Sequence, residues 1–119
     1  MNDRFRFRVW HKQGKKFFYG IYPGSQSLPN TSNTKAFVLE QCTGLKDKKG
    51  RLIYEGDVVK RHSKYDEEEK DCVLQVEWNY KSGRYITTNK KHDTWFFSMF
   101  EYEYEVIGNI HKNPELREA

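Results

Sequence analysis

TGLKDKKGRLIYEGDVVKRH, residues 43–62, is the stretch on which the fold turns. Asp47 to Gly50 has the composition of a tight turn. Leu52 to Tyr54 is long enough for a very short strand. Glu55-Gly56-Asp57 is a second turn, where glycine supplies a positive φ at no steric cost. Val58 to Arg61 opens the next strand. Strands this short, broken by turns this close together, fit a small β-barrel.

The flanking sequence continues the pattern. Toward the N-terminus, AFVLEQC (36–42) reads as a strand, and RFRFRVW (4–10) alternates strictly. A period of two is the mark of a half-buried strand. Phe5, Phe7 and Val9 are expected on the buried face, and Arg4, Arg6 and Arg8 on the exposed one. A turn around Gly14 leads to FFYGIY (17–22), which completes a basic hairpin over 1–22. Residues 23–35, opening with PGSQSLPNTSNT, are polar and turn-forming and are expected to link that hairpin to a barrel over 36–119. Toward the C-terminus, SKYDEEEKD (63–71) reads as a solvated charged loop. CVLQVEWN (72–79) alternates, with Cys72, Leu74, Val76 and Trp78 inward. Tyr85 to Thr88 follows a turn at Lys81-Ser82-Gly83. WFFSMF (95–100) fits a short helix capped by Asp93 or Thr94, or a buried strand. Tyr102, Tyr104 and Val106 alternate with Glu101, Glu103 and Glu105 as in a strand with a soluble outer face. Asn113-Pro114 has the form of a cap and first position of a single helical turn. The expected class is mainly β: a small SH3-like or related barrel with an N-terminal hairpin and little helix.

Composition supports a folded chain with a thin core. Of 119 residues, 36% are hydrophobic and 32% charged, which alone would suit disorder; but 16% are aromatic, and rings bury large areas each. No apolar run approaches the roughly 20 residues of a membrane helix, and the N-terminus does not open on a signal-like apolar stretch. Cys42 and Cys72, 30 residues apart and without CxxC spacing, suit buried thiols better than a disulfide in a chain with no secretion signal.

Charge is uneven. Residues 1–62 carry 13 Lys/Arg against 5 Asp/Glu, a balance of +8; residues 63–119 carry 8 against 12, a balance of −4. The basic half points to an acidic partner, or to attraction between the two halves within one chain or between copies. Single-strand-binding barrels combine a basic groove with stacking aromatics. The residues that could form such a surface, or a protein-binding one, are Arg4, Arg6, Arg8, Trp10, Lys12, Lys15, Lys16, Lys46, Lys48, Lys49, Arg51, Lys60 and Arg61. The plain alternative is that the cations cover a solvated face and the rings pack in the core.

No catalytic signature is present: no P-loop, no dinucleotide fingerprint, no nucleophile elbow. Asp57, beside Gly56, is the acid of most interest, and its ordinary role would be a turn residue bonding its own backbone. His11, His62, His92 and His111 are not at ligand spacing, and the Asp66–Glu69 run lacks the alternation of a Ca²⁺ loop. No catalytic residue, metal or cofactor is therefore expected.

Three stretches carry a family resemblance: FRVWHKQGKKF (7–17), TGLKDKKGRLIYEGDVVK (43–60) and EVIGNIHKNPEL (105–116). In order and spacing they resemble the YopX family of phage and prophage proteins, and the 18-residue middle stretch is the most specific. Cys42 departs from that pattern, which more often has an aromatic before Thr-Gly, and 63–71 and 89–94 match none of it. The resemblance implies a β-rich fold, a phage or prophage origin and a bacterial cytoplasmic setting. It implies no catalytic residues. The expected function is a non-catalytic accessory role through protein–protein contact or self-assembly, with nucleic-acid binding as the alternative.

Overall fold

The computed structural model describes residues 5–21 and 36–118; Arg4 and the linker expected over 23–35 lie outside the described residues. The architecture is mainly β and barrel-like, distributed over two antiparallel sheets. The first contains β1 (Phe7–His11), β2 (Lys16–Ile21), β3 (Phe37–Lys46) and β4 (Leu52–Tyr54), in the order β2-β1-β3-β4. The second is curled into a half-barrel from β5 (Asp57–Ser63), β6 (Cys72–Asn79), β7 (Arg84–Thr88), β8 (Thr94–Phe96) and β9 (Tyr102–Asn109), in the order β8-β7-β6-β5-β9. One helical turn, α1 (Glu115–Glu118), ends the described chain.

The concave face of the half-barrel holds the core: Val59, Leu74, Val76 and Tyr104, closed by Ile53 from β4. Ile53 belongs to the first sheet, so this cluster joins the two. Burial of each such side chain contributes roughly 1.5–3 kcal/mol, and this small set matches the thin core read from composition. The Tyr104 hydroxyl accepts the Ser98 N–H at 3.1 Å, fixing the turn that leads out of β8.

Several expectations are refined. The ambiguous 95–100 segment is strand over Thr94–Phe96 and turn beyond it. β1 pairs with β3 from Phe7↔Gln41 to His11↔Phe37, so the hairpin shares a sheet with the first strand of the 36–119 unit. Within β6, Leu74 and Val76 face the core as read, but Gln75 is buried too and Trp78 is partly exposed, because the middle of the strand is covered on both faces. Asn113 does not cap α1 with its side chain; its Oδ1 accepts the Asn109 N–H at 3.4 Å. The C-terminal turn lies so close to β9 that a Cβ at Gly108 would stand 2.5 Å from Asn113 Oδ1.

Candidate interaction surface

The alternation in β1 is real, but the arginine face is not the solvent face. Register places Arg8 directly opposite Glu40 on β3, and this side faces the second sheet. Arg8 is 3% exposed. Its Nε donates to Glu40 Oε1 at 2.9 Å, its NH1 lies 2.8 Å from Asp57 Oδ1, and its NH2 donates to the Glu55 carbonyl at 3.2 Å. Phe17 and Tyr54 rings lie 4.2 and 4.9 Å from the guanidinium. Glu40 Oε2 is 3.0 Å from His111 Nε2, and the His111 ring stacks on Trp10 at 5.1 Å. Asp57 does bond its own turn, accepting the Tyr54 N–H at 2.8 Å, and through Arg8 it also ties β5 to β1. One guanidinium thus holds two buried carboxylates at the seam between the sheets. Burial works against its charge, but Asp57 and Glu40 outweigh that and raise its pKa. Burial pushes the Asp57 carboxyl up to about 6, with Arg8 pulling the other way. Gly56, at φ +87, lies against this cluster, and a Cβ there would run into the Glu40 carboxylate.

The basic residues singled out by sequence fall into three groups. Arg8, Trp10 and Arg61 are buried. Arg61 sits 4.2 Å from the Tyr102 ring and 5.2 Å from that of Trp95, with Glu69 at 3.8 Å. Burial corrects the outward placement of Arg8, because the second sheet covers that face and supplies its counter-charges. Lys48, Lys49 and Arg51 converge on Glu105, and Lys60 pairs with Asp71 at 3.6 Å. The turn carrying Lys48, Lys49 and Arg51 is organised by Asp47, which the sequence placed at its start without a role for the side chain: its buried carboxylate accepts backbone N–H groups from Lys49, Arg51 and Val106. Those bonds hold its pKa down against the effect of burial. Lys12, Lys15, Lys16 and Lys46 are exposed, and Arg6 is half-buried. Lys12 and Lys15, with Lys112, flank a groove of about 620 Å³ beside the Trp10–His111 stack.

Two further surfaces emerge only from the fold. At the edge of the half-barrel, β8 carries exposed Trp95 and Phe96; beyond it Phe100, 77% exposed, lies 5.9 Å ring to ring from Tyr65, itself 70% exposed. Between the sheets, a cleft of about 330 Å³ runs beside β3 and contains Glu40, Glu55, Glu77, Gln75, Leu39 and Trp78. The Glu55 carboxyl is raised in pKa by burial, with Glu40 and Glu77 adding to the effect. Among the described residues, no group of three or more His, Cys, Asp or Glu is placed to hold a metal ion, and no helix is long and apolar enough to cross a membrane.

A curled half-barrel joined to a second antiparallel sheet by a buried arginine defines a small β protein with a cleft at its seam and exposed rings at its edge. The chain belongs to the YopX family, whose model, described as YopX protein, matches residues 6–118. Protein EF1440 from Enterococcus faecalis, a crystal structure, is similar in fold, with TM-score 0.65 and 24% identity over 93% of this chain and 96% of that one. Protein yopX from Bacillus subtilis is also similar, with TM-score 0.57 and 19% identity over 98% of each chain. At these identities the likeness concerns the fold alone. No curated protein matches the chain.

Proposed function

We propose that this is a non-catalytic accessory protein of a phage or prophage, working in the bacterial cytoplasm by binding a protein surface, of its own kind or another. The observation that carries this reading is the aromatic rim of the half-barrel: Trp95, Phe96, Phe100 and Tyr65 are exposed together along and beyond an edge strand. Clustered exposed rings cost free energy in water and mark contact surfaces, and an edge strand offers unpaired backbone groups. Sequence supports the rest: no catalytic motif is present, and the family it resembles is known from phages and prophages. The acidic C-terminal half around the rim also complements the basic hairpin of a second copy.

Nucleic-acid binding is the second reading, supported by Lys12, Lys15 and Lys112 around one groove. It is weakened by the burial of Arg8 and Arg61 and by the pairing of Lys48, Lys49 and Arg51 with Glu105.

Light scattering over a concentration series, with labelled single-stranded and duplex oligonucleotides on the same sample at two salt concentrations, separates the two. A mass above one chain that is lost in the Phe96→Ser/Phe100→Ser variant supports protein binding. A monomer at every concentration that binds oligonucleotide, with affinity falling as salt rises, overturns it.

A further inference from the structure

We propose that copies of this chain join head to tail: the lysine groove beside the Trp10–His111 stack of one copy receives the acidic, aromatic tip of the next, Tyr65 to Glu68 with Phe100. This deepens the protein-binding reading and rests on it, naming the partner as a second copy and the groove as the other half of the contact.

The two surfaces are built at opposite ends of β9. At its N-terminal end, the Tyr102 hydroxyl donates to Glu69 Oε1 at 3.0 Å and the Lys64 N–H donates to the Glu101 carbonyl at 2.9 Å. These bonds tie the charged loop to the turn before β9 and bring Tyr65 against Phe100, with rings 5.9 Å apart. At its C-terminal end, Asn109 Oδ1 accepts the His111 and Lys112 N–H groups at 3.0 and 2.9 Å. Trp10 stacks on His111, which sets the β1–β2 turn with Lys12 and Lys15 beside Lys112. At about 3.4 Å per residue, the eight residues of β9 hold tip and groove roughly 25 Å apart. One chain cannot close that distance on itself, so the two surfaces meet only between copies.

The charges are complementary and open. Lys12, Lys15 and Lys112 are exposed, and none forms an ion pair among the described residues; Lys112 lies over the Phe17 ring at 5.5 Å. Exposed Glu115 also lines the groove, and His111 there is held by Glu40. The linker 23–35 holds no acidic residue that could neutralise the lysines. In the tip, Glu69 is engaged by Tyr102 and Arg61, and Asp66 Oδ1 accepts the Glu68 N–H. The Glu67 and Glu68 carboxylates are exposed and form no ion pair among the described residues. Of the loop's lysines, Lys64 donates to the Met99 carbonyl at 2.7 Å, and Lys70 follows the acids in the chain. Exposed ion pairs are individually weak, so the rings add to them. Tyr65 and Phe100, 70% and 77% exposed, are covered in this contact by Pro114 and the groove walls, and about 620 Å³ is room for a protruding turn. Two different surfaces of one chain make a heterologous contact. Such a contact repeats from copy to copy into a ring or a filament and does not stop at a dimer.

Sedimentation velocity over a concentration series tests this. The wild-type chain should grow past two copies, and the growth should weaken as salt rises. Lys12→Gln/Lys15→Gln/Lys112→Gln removes the groove's charge, and Glu67→Gln/Glu68→Gln that of the tip. These sites are exposed, so both variants should keep the wild-type circular dichroism and melting temperature. Each alone should self-associate at least tenfold more weakly. Mixed, they should form a one-to-one dimer that grows no further, since one intact groove meets one intact tip. From a net charge of +4 both variants stay positive, so general charge attraction does not account for that dimer. A wild-type mass that stops at one or two copies overturns the proposal. So does association unchanged in either variant, or a mixture that stays monomeric. A monomeric wild type whose oligonucleotide binding is lost in the groove variant gives the groove to a nucleic acid and overturns it as well. If association survives both charge variants and is lost in Phe96→Ser/Phe100→Ser, the groove contact fails while protein binding through the rim stands.

Discussion

Replacing Arg8 by alanine should be the most damaging single change at the seam. The guanidinium is 3% exposed and holds Glu40 at 2.9 Å and Asp57 at 2.8 Å. Alanine leaves both carboxylates buried and facing each other with no cation between them. Removing one member of a buried ion pair costs about 3–5 kcal/mol, because the remaining charge stays desolvated. For a chain of this length that lowers Tm by roughly 10–20 °C. Urea titration followed by tryptophan fluorescence and by circular dichroism measures the loss directly. pH then tests the cause. The Asp57 carboxyl is raised to about 6 in the folded protein, above the ~3.9 of an unfolded chain. Between those values the folded state holds the proton more tightly. Its contribution to stability is full below the unfolded value and is lost, by roughly 3 kcal/mol, as pH rises through 6. Without Arg8, neutralising Asp57 matters more, so the deficit of Arg8→Ala should be larger at pH 8 than at pH 5. A loss under about 1 kcal/mol, the worth of an exposed ion pair, refutes the reasoning. A deficit that is the same at both pH values also refutes it.

Gly56→Ala and Gly83→Ala should differ. Both glycines have positive φ, so each substitution costs about 1 kcal/mol for the backbone, but only at Gly56 does the added carbon meet the Glu40 carboxylate. Gly56→Ala should therefore lose at least about 1 kcal/mol more in the same urea assay, and equal losses would place Glu40 elsewhere. The two cysteines are free, Cys42 buried and Cys72 partly exposed. A thiol reagent should label Cys72 in the native protein and Cys42 only on unfolding; equal labelling rates would contradict this burial.

Much of the local structure was legible because it is set locally. The turns at 47–50 and 55–57, the three-residue strand Leu52–Tyr54 and the alternation of β1, β6 and β9 follow from residue types and a period of two. Trp95 to Phe100 was ambiguous because a short apolar run satisfies either period. The edge position of β8 beside β7 settles it, with the Thr87 hydroxyl donating to the Trp95 carbonyl at 3.1 Å.

The candidate site was less legible. A strand's alternation shows that two faces differ, but not which one another sheet will cover. Arg8 reads as a surface cation until Asp57 arrives from β5 and Glu40 from β3, 49 and 32 residues away in sequence. Asp47 looks like one polar residue in a lysine-rich turn until Val106, from the other end of the chain, donates to it. Among the described residues, the cleft beside β3 exists only because β4 pairs with half of β3 and the half-barrel stands beside the rest. Sequence determined the strands, the turns and the charge to be distributed, because those depend on neighbours along the chain. Tertiary structure alone decided which charges are buried, which are neutralised and which remain exposed, because burial and Coulomb energy depend on distance through space.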